Sequence, residues 1–293
     1  MESLLQQIIA GLASGGIYAS VALALVMIYQ STEHLNFAQG EMAMFSTYIC
    51  WTFINAGMPY WGAFFLTMAV SFLGGLLIQW VILRPVRNAP ILSMVIVFIG
   101  LLVIFNSMAG WIFSYLIKPF PSPFPSEPLK VGGVVFGAHS LGAIGVTLIV
   151  LTLLFLFFRY TTLGLAMRAA AQNPVSSRLV GIRVGQMLAL GWGLAALVGS
   201  VAGMMVAPIV FLDPNMMGGI LLYSFAAALL GGISSPGGSV LGGFVIGVVE
   251  NLLGTYVPFI GTELKQTVAL VLIIGVLLVK PSGFFGKIVV HRV

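Results

Sequence analysis

Charge is what this chain has least of: 6% of its 293 residues are Asp, Glu, Lys or Arg, against 60% hydrophobic. Water-soluble domains carry roughly 25% charged residues, so this composition excludes an ordinary globular fold. Cysteine is nearly absent. Cys50 stands alone inside an apolar run, which excludes a disulfide framework and a thiolate metal cluster. The three histidines, His34, His139 and His291, lie far apart with no second ligand beside them, so no metal site is expected. A phosphate-binding loop is missing, because the Gly286-Lys287 pair is followed by Ile288 and lacks the upstream glycine. There is no Gly-x-Ser-x-Gly elbow for a nucleophilic serine. Nor does any span carry the repeated arginines of a voltage sensor.

What remains is apolar sequence in runs of about 20 residues, the length an α-helix needs to cross a bilayer. The runs are continuous, unlike the alternating segments of about ten residues in a β-barrel. The expected fold is an all-α integral membrane protein, with segments near 4–28, 42–57, 61–83, 91–117, 140–158, 186–211, 220–232 with 239–257, and 266–279. That makes eight to nine segments, of which 42–57 and 220–232 are short and read as broken or re-entrant. The start, MESLLQQ, carries an acid and no base, so its apolar stretch reads as a first span rather than a cleaved signal.

The basic residues set an orientation. Arg84, Arg87, Arg159, Arg168, Arg178, Arg183, Lys280, Lys287 and Arg292 fall on one side, against Lys118, Lys130 and Lys265 on the other. Loops rich in Lys and Arg stay cytoplasmic, which puts the C-terminus inside and the N-terminus outside. The net charge of +5 is thus a topology signal and does not suggest nucleic acid as a partner. The segment 118–139, with five prolines, then faces outward and reads as an extended, semi-rigid connector. Glycines at GxxxG spacing (Gly11/Gly15, Gly199/Gly203, Gly238/Gly242, Gly243/Gly247) predict close helix packing in lipid.

Two breaks interrupt the apolar runs. Gln30–Glu41 holds Glu33, His34, Asn36, Phe37, Gln39, Gly40 and Glu41, and Leu230–Gly243 gathers Gly231, Gly232, Ser234, Ser235, Gly237, Gly238 and Ser239 around Pro236. Backbone that leaves the helical ladder at membrane depth must line water or be buried in protein. Paired interruptions in two halves of a chain point to a translocation site. The alternatives are a surface loop at 30–41 and a simple Ser-Pro-Gly-Gly turn in the second segment. Glu250, Asn251, Asn106 and Gln79 are further polar residues within spans, with interhelical hydrogen bonding the commoner role for the amides.

The stretch 159–185 is a basic, water-facing island without an acid. Asn173-Pro174 reads as a helix cap with proline at the first helical position, and Gly181 as the stop of a short helix. Val175, Leu179 and Ile182 recur at i, i+4 and i+7, an apolar stripe that needs a partner's groove or a bilayer surface.

Three motifs, LNFAQGE at 35–41, TTLGLAMRAAAQNPVSSRLVGI at 161–182 and ALLGGISSPGGSVLGG at 228–243, occur in order. In them the chain resembles the H-type permease subunits of ABC importers for branched-chain amino acids. The resemblance implies that Arg168, Ala169, Ala170, Gln172, Asn173, Pro174, Val175, Arg178, Leu179, Gly181 and Ile182 form the segment that docks on a cytoplasmic ATPase. It also implies that the other two motifs line the solute path, in two related repeats. The halves fall at about 1–117 and 140–279, separated by the outward loop and followed by a tail at 280–293. It further implies two ATPase subunits carrying ATP and magnesium, a second permease subunit, a soluble binding protein, and a prokaryotic inner membrane. Many relatives carry an acidic pair where Gln172 and Asn173 stand here, which puts a salt bridge to the ATPase in doubt. Urea, amides and small organic acids stay open as solutes, and a channel or secondary transporter working without ATPases is the alternative class.

Overall fold

In the computed structural model the helices follow the apolar runs closely. It describes residues 2–32, 34–86, 89–125, 127, 129–131, 134–261 and 264–286. The order is α1 (Glu2–Thr32), α2 (Gln39–Asn55), α3 (Tyr60–Leu77) running through a π-turn (Ile78–Leu83) into α4 (Arg84–Val86), and α5 (Ile91–Phe113). After them come α6 (Ala138–Tyr160), α7 (Thr162–Gln172), α8 (Pro174–Leu179), α9 (Val184–Val210), α10 (Gly218–Gly231), α11 (Pro236–Tyr256) and α12 (Lys265–Val279). Six of these are long and apolar enough to cross a membrane, while α10 and α12 are shorter apolar helices and α2 has 17 residues. One departure from an all-helical chain is a hairpin in which β1 (Leu129–Val131) pairs antiparallel with β2 (Val134–Phe136).

Two long helices, α1 and α9, are largely buried and form the centre. Each is gripped by a helix from the far part of the chain: α1 packs most extensively on α11, and α9 on α3. Glycine makes both crossings close. A methyl group on Gly11 would stand 2.7 Å from the Val248 Cα, and one on Gly15 2.8 Å from the Phe244 Cα, so only hydrogen fits. Gly243 and Gly247 answer from the α11 side, against Ala19 and Gly15. In lipid, where apolar side chains gain little by meeting each other, this approach of backbones supplies the packing energy. Gly199 and Gly203 do the same between α9 and α2, and Gly238 and Gly242 between α11 and α10.

One end of the bundle collects the basic segments. Gln30 donates to the Ser234 carbonyl oxygen at 3.1 Å, joining the end of α1 to the α10–α11 turn. Met27 and Gln30 share a small cavity with Phe158, Met167, Arg168 and Leu188, which brings α6, α7 and the start of α9 to the same place. The tail folds back here too: the amides of Phe284 and Phe285 donate to the last carbonyls of α10, Leu230 and Gly231, at 2.8 and 3.1 Å. Those carbonyls have no partner within their own helix, so the tail caps them.

At the opposite end, the described residues of segment 118–139 do more than connect. Lys118 and Leu212 exchange both backbone hydrogen bonds (2.9 and 3.0 Å), and the Lys118 ammonium sits 4.9 Å over the Trp51 ring. Phe120 is buried, and Phe124 packs on Trp61 and His139.

Candidate translocation site and coupling segment

The first break is narrower than the sequence suggests, and it is no surface loop. α1 runs on to Thr32 and α2 starts at Gln39, which leaves residues 33–38 to connect them. Asn36, Ala38 and Gln39 are fully buried. The Asn36 carboxamide oxygen accepts from the Ala38 amide at 3.0 Å, and its nitrogen faces the Gln39 side chain at 3.4 Å. Gln39 in turn donates to the Ala195 carbonyl oxygen at 3.1 Å, midway along α9, and Phe37 packs on Phe225 of α10. The connection therefore re-enters the bundle, and α2 begins deep inside it. The Asn36 and Gln39 side chains both have protein partners, as burial away from water demands.

Glu41, in the first turn of α2, is 8% exposed. Its carboxylate accepts from the Asn106 carboxamide of α5 at 3.3 Å. The same nitrogen lies 2.9 Å from the Pro214 carbonyl oxygen and 3.3 Å from the Asn215 Oδ1. Asp213 lies within electrostatic reach of Glu41 and accepts from the Asn215 amide at 2.7 Å. The segment 211–217, between α9 and α10, is therefore the break that meets the first one. Sequence reading missed it, because Leu-Asp-Pro-Asn looks like an ordinary turn. The available signal was an acid and an amide just before a short apolar helix, close to the pattern of Asn36 before α2 and Glu41 in its first turn.

Two backbone torsions frame this cluster. Ser114, at the end of α5, has φ 66° and ψ 164°, and Phe211, at the end of α9, has φ 65° and ψ 163°. This region is almost exclusive to glycine and costs a side-chain-bearing residue about 1–3 kcal/mol. Both residues lead into the strands of backbone that the Lys118–Leu212 bridge ties together. The Tyr115 hydroxyl approaches the Asn106 carboxamide oxygen at 3.5 Å, at the outer edge of the cluster.

The glycine and serine residues of 231–239 lie elsewhere, at the basic end. Gly231 and Gly238 bring α10 and α11 together, and Gly232 (φ 103°) packs on Gly286 of the tail. Ser235 caps α11 by accepting from the Gly238 amide at 3.1 Å, with Pro236 in the first helical position. Ser234 is exposed, Gly237 is exposed and Ser239 is buried, donating to the Pro236 carbonyl oxygen. The structure brings Asn36, Phe37, Gln39, Gly40 and Glu41 together and holds this second group apart from them. Gln30 is the described side chain that bridges towards it.

Glu250 is also accounted for. It accepts from the Tyr18 hydroxyl at 2.7 Å and pairs with Lys265 at 3.7 Å, while Tyr18 stacks on Tyr223 at 4.9 Å.

In the basic island the capping chemistry is as expected. Asn173 Oδ1 accepts from the Ser176 amide at 2.9 Å, Pro174 opens α8, and Gly181 turns the chain with φ 86°. Val175, Leu179 and Val180 are exposed at 68%, 85% and 76%, an apolar knob beside the exposed Arg168, Gln172 and Arg178. Ile182 differs from expectation. α8 ends at Leu179, so the seven-residue spacing no longer applies, and Ile182 packs on Ala170, Val184 and Leu188. Ala170 is fully buried and Ala169 half-buried, so the face offered outward comes from α8 and its C-terminal turn.

Six helices long and apolar enough to cross a membrane, packed around a break that re-enters the bundle, define a polytopic membrane protein. The chain belongs to the family of permease components of branched-chain amino acid transport systems, whose pattern it matches over residues 7–277. It is 32% identical to the high-affinity branched-chain amino acid transport system permease protein LivH of Salmonella typhimurium, across 99% of this chain and 97% of that one. Its identity to BraD, the corresponding permease protein of Pseudomonas aeruginosa, is also 32%, across 99% and 98%. Among solved structures, a chain of PsaBC from Streptococcus pneumoniae in complex with Fab superposes with a TM-score of 0.51, 14% identity and coverage of 95% and 92%. That likeness is one of fold.

Proposed function

We propose that this chain is the membrane-spanning subunit of an ATP-driven importer for leucine, isoleucine, valine or related small amino acids. A soluble binding protein delivers the solute outside, a second permease subunit completes the pore, and two cytoplasmic ATPases hold ATP and magnesium. The chain itself carries no hydrolytic chemistry. It resides in the inner membrane of a prokaryote with its C-terminus in the cytoplasm, the side favoured by nine of its twelve Lys and Arg residues. α2 and α10 act as the interrupted segments of two inverted repeats, about 1–117 and 140–279. The exchange of packing partners between α1 with α11 and α9 with α3 supports that relation.

The solute passes along Asn36, Phe37, Gln39, Gly40 and Glu41, and Gly231–Ser239 forms the inner mouth. The observation that carries the coupling is the apolar knob of Val175, Leu179 and Val180 on a short capped helix at the basic end. An exposed apolar surface of that kind marks a docking site for a partner. ATP-driven closure of the ATPases would move α7 and α8 against the base of α9 and switch the bundle between outward- and inward-facing forms. The test is co-purification with the ATPases followed by uptake into proteoliposomes. ATP-dependent uptake by the assembled complex is expected. Uptake by the chain alone without ATP would overturn the reading in favour of a secondary transporter or channel.

A further inference from the structure

The polar cluster at the meeting of the two breaks has a chemistry of its own. It is rich in acceptors: the Glu41 carboxylate, the Asp213 carboxylate, the Pro214 carbonyl oxygen and the Asn215 Oδ1. One Asn106 Nδ2, with two hydrogens, faces three of them at 2.9–3.3 Å, so at least one is left without a proton. Glu41 is 8% exposed and Asn106 is its one protein partner among the described residues, far fewer bonds than a buried carboxylate needs. A separate observation points to the same place. Tyr48, two turns after Glu41 and on the same face of α2, is fully buried, and its hydroxyl has no hydrogen-bond partner among the described residues. A buried hydroxyl left unmatched on the helix face that carries Glu41 marks a place where a further polar group belongs.

We propose that this cluster is a binding site for the primary ammonium group of the solute. Three N–H donors on one positive nitrogen suit it: one for the free Glu41 oxygen, one for Asp213 or Asn215, and one for the Pro214 carbonyl oxygen. The exposed Asn215 and half-buried Asn106 and Asp213 form its opening, and Tyr115 stands at the rim. The apolar end of a leucine-like solute then lies towards Phe45 and Phe105, which pack together at 5.4 Å on the same two helices, α2 and α5. A neutral sugar or a carboxylate alone would leave the acidic groups unmatched or repelled. The inference rests on reading the cluster as part of the solute path, and it adds the group that is recognised there.

The test is equilibrium binding to the purified permease–ATPase complex in detergent, without the binding protein, so that its own selectivity does not intervene. Radiolabelled leucine is displaced by 3-methylbutylamine, which keeps the ammonium, and not by 4-methylpentanoate, which keeps only the carboxylate. Glu41→Gln and Asp213→Asn each weaken leucine binding by about tenfold or more, the usual effect of losing a charge-assisted hydrogen bond. Displacement by the acid equal to that by the amine would overturn the proposal, as would unchanged binding in both variants. Where one variant fails to assemble, the other and the displacement series still decide. ATP-dependent uptake by the wild-type complex is scored separately. Its loss would sink the importer reading while leaving the ammonium site to stand or fall on binding.

Discussion

Gly74 and Gly75 are neighbours on α3 whose surroundings have nothing in common, and substituting each with alanine should move stability in opposite directions. A methyl group on Gly75 would stand 2.5 Å from the Trp192 carbonyl oxygen and 2.9 Å from the Gly193 Cα and the Ala196 Cβ. All three are fixed to the α9 backbone, so no side chain can rotate away. Carbon–oxygen contacts settle at about 3.3–3.6 Å, so α3 and α9 must part by on the order of 1 Å along their whole crossing. Overpacking of this kind costs about 1–3 kcal/mol. At Gly74 the same methyl meets nothing within 4 Å, and the substitution only removes backbone freedom from the unfolded chain. Helix propensity then makes Gly74→Ala neutral to about 1 kcal/mol stabilising. Thermal unfolding of the two variants in one detergent, against wild type, reads the difference directly. Equal midpoints, or a more stable Gly75→Ala, would refute the close-approach account of how α9 is held.

Replacing Leu179 with Asp should leave membrane insertion intact and abolish uptake while ATP hydrolysis continues, because the side chain is 85% exposed and supports no fold contact. Uptake at wild-type rates would remove α8 from the coupling scheme. Ser114→Gly should raise the unfolding midpoint by relieving about 1–3 kcal/mol of backbone strain, less the entropy glycine returns to the unfolded chain. Lys265→Glu should destabilise more than Lys265→Ala, since it sets two acids together where the ion pair with Glu250 now stands. The alanine change should cost about 1–2 kcal/mol, between the surface and buried limits for such pairs, and Glu250→Lys combined with Lys265→Glu should recover part of the loss. A double variant no better than the singles would count against the pairing.

Much of this was legible in the sequence. Apolar run lengths located the helices to within a few residues, as Val184–Val210 against 186–211 illustrates. Asn173, Pro174 and Gly181 announced a capped short helix because capping is decided by neighbours in the chain. The GxxxG spacings pointed to contact faces for the same local reason. The cluster of Glu41, Asn106 and Asn215 was not legible, since its members lie 65 and 109 positions apart and only packing brings them together. Asn106 alone looks like any amide in a span. The place of Ile182 on the exposed stripe was misread because periodicity assumes that the helix continues, whereas α8 stops at Leu179 and the chain turns at Gly181.

Ser114 and Phe211 share almost the same unfavourable torsions, and both lead into the backbone pair of Lys118 and Leu212. Holding Ser114 and Phe211 in that region costs about 1–3 kcal/mol each, so the Lys118–Leu212 pairing is held at a local expense that its two hydrogen bonds must offset. Glycine at both positions would keep the pairing and lift that cost.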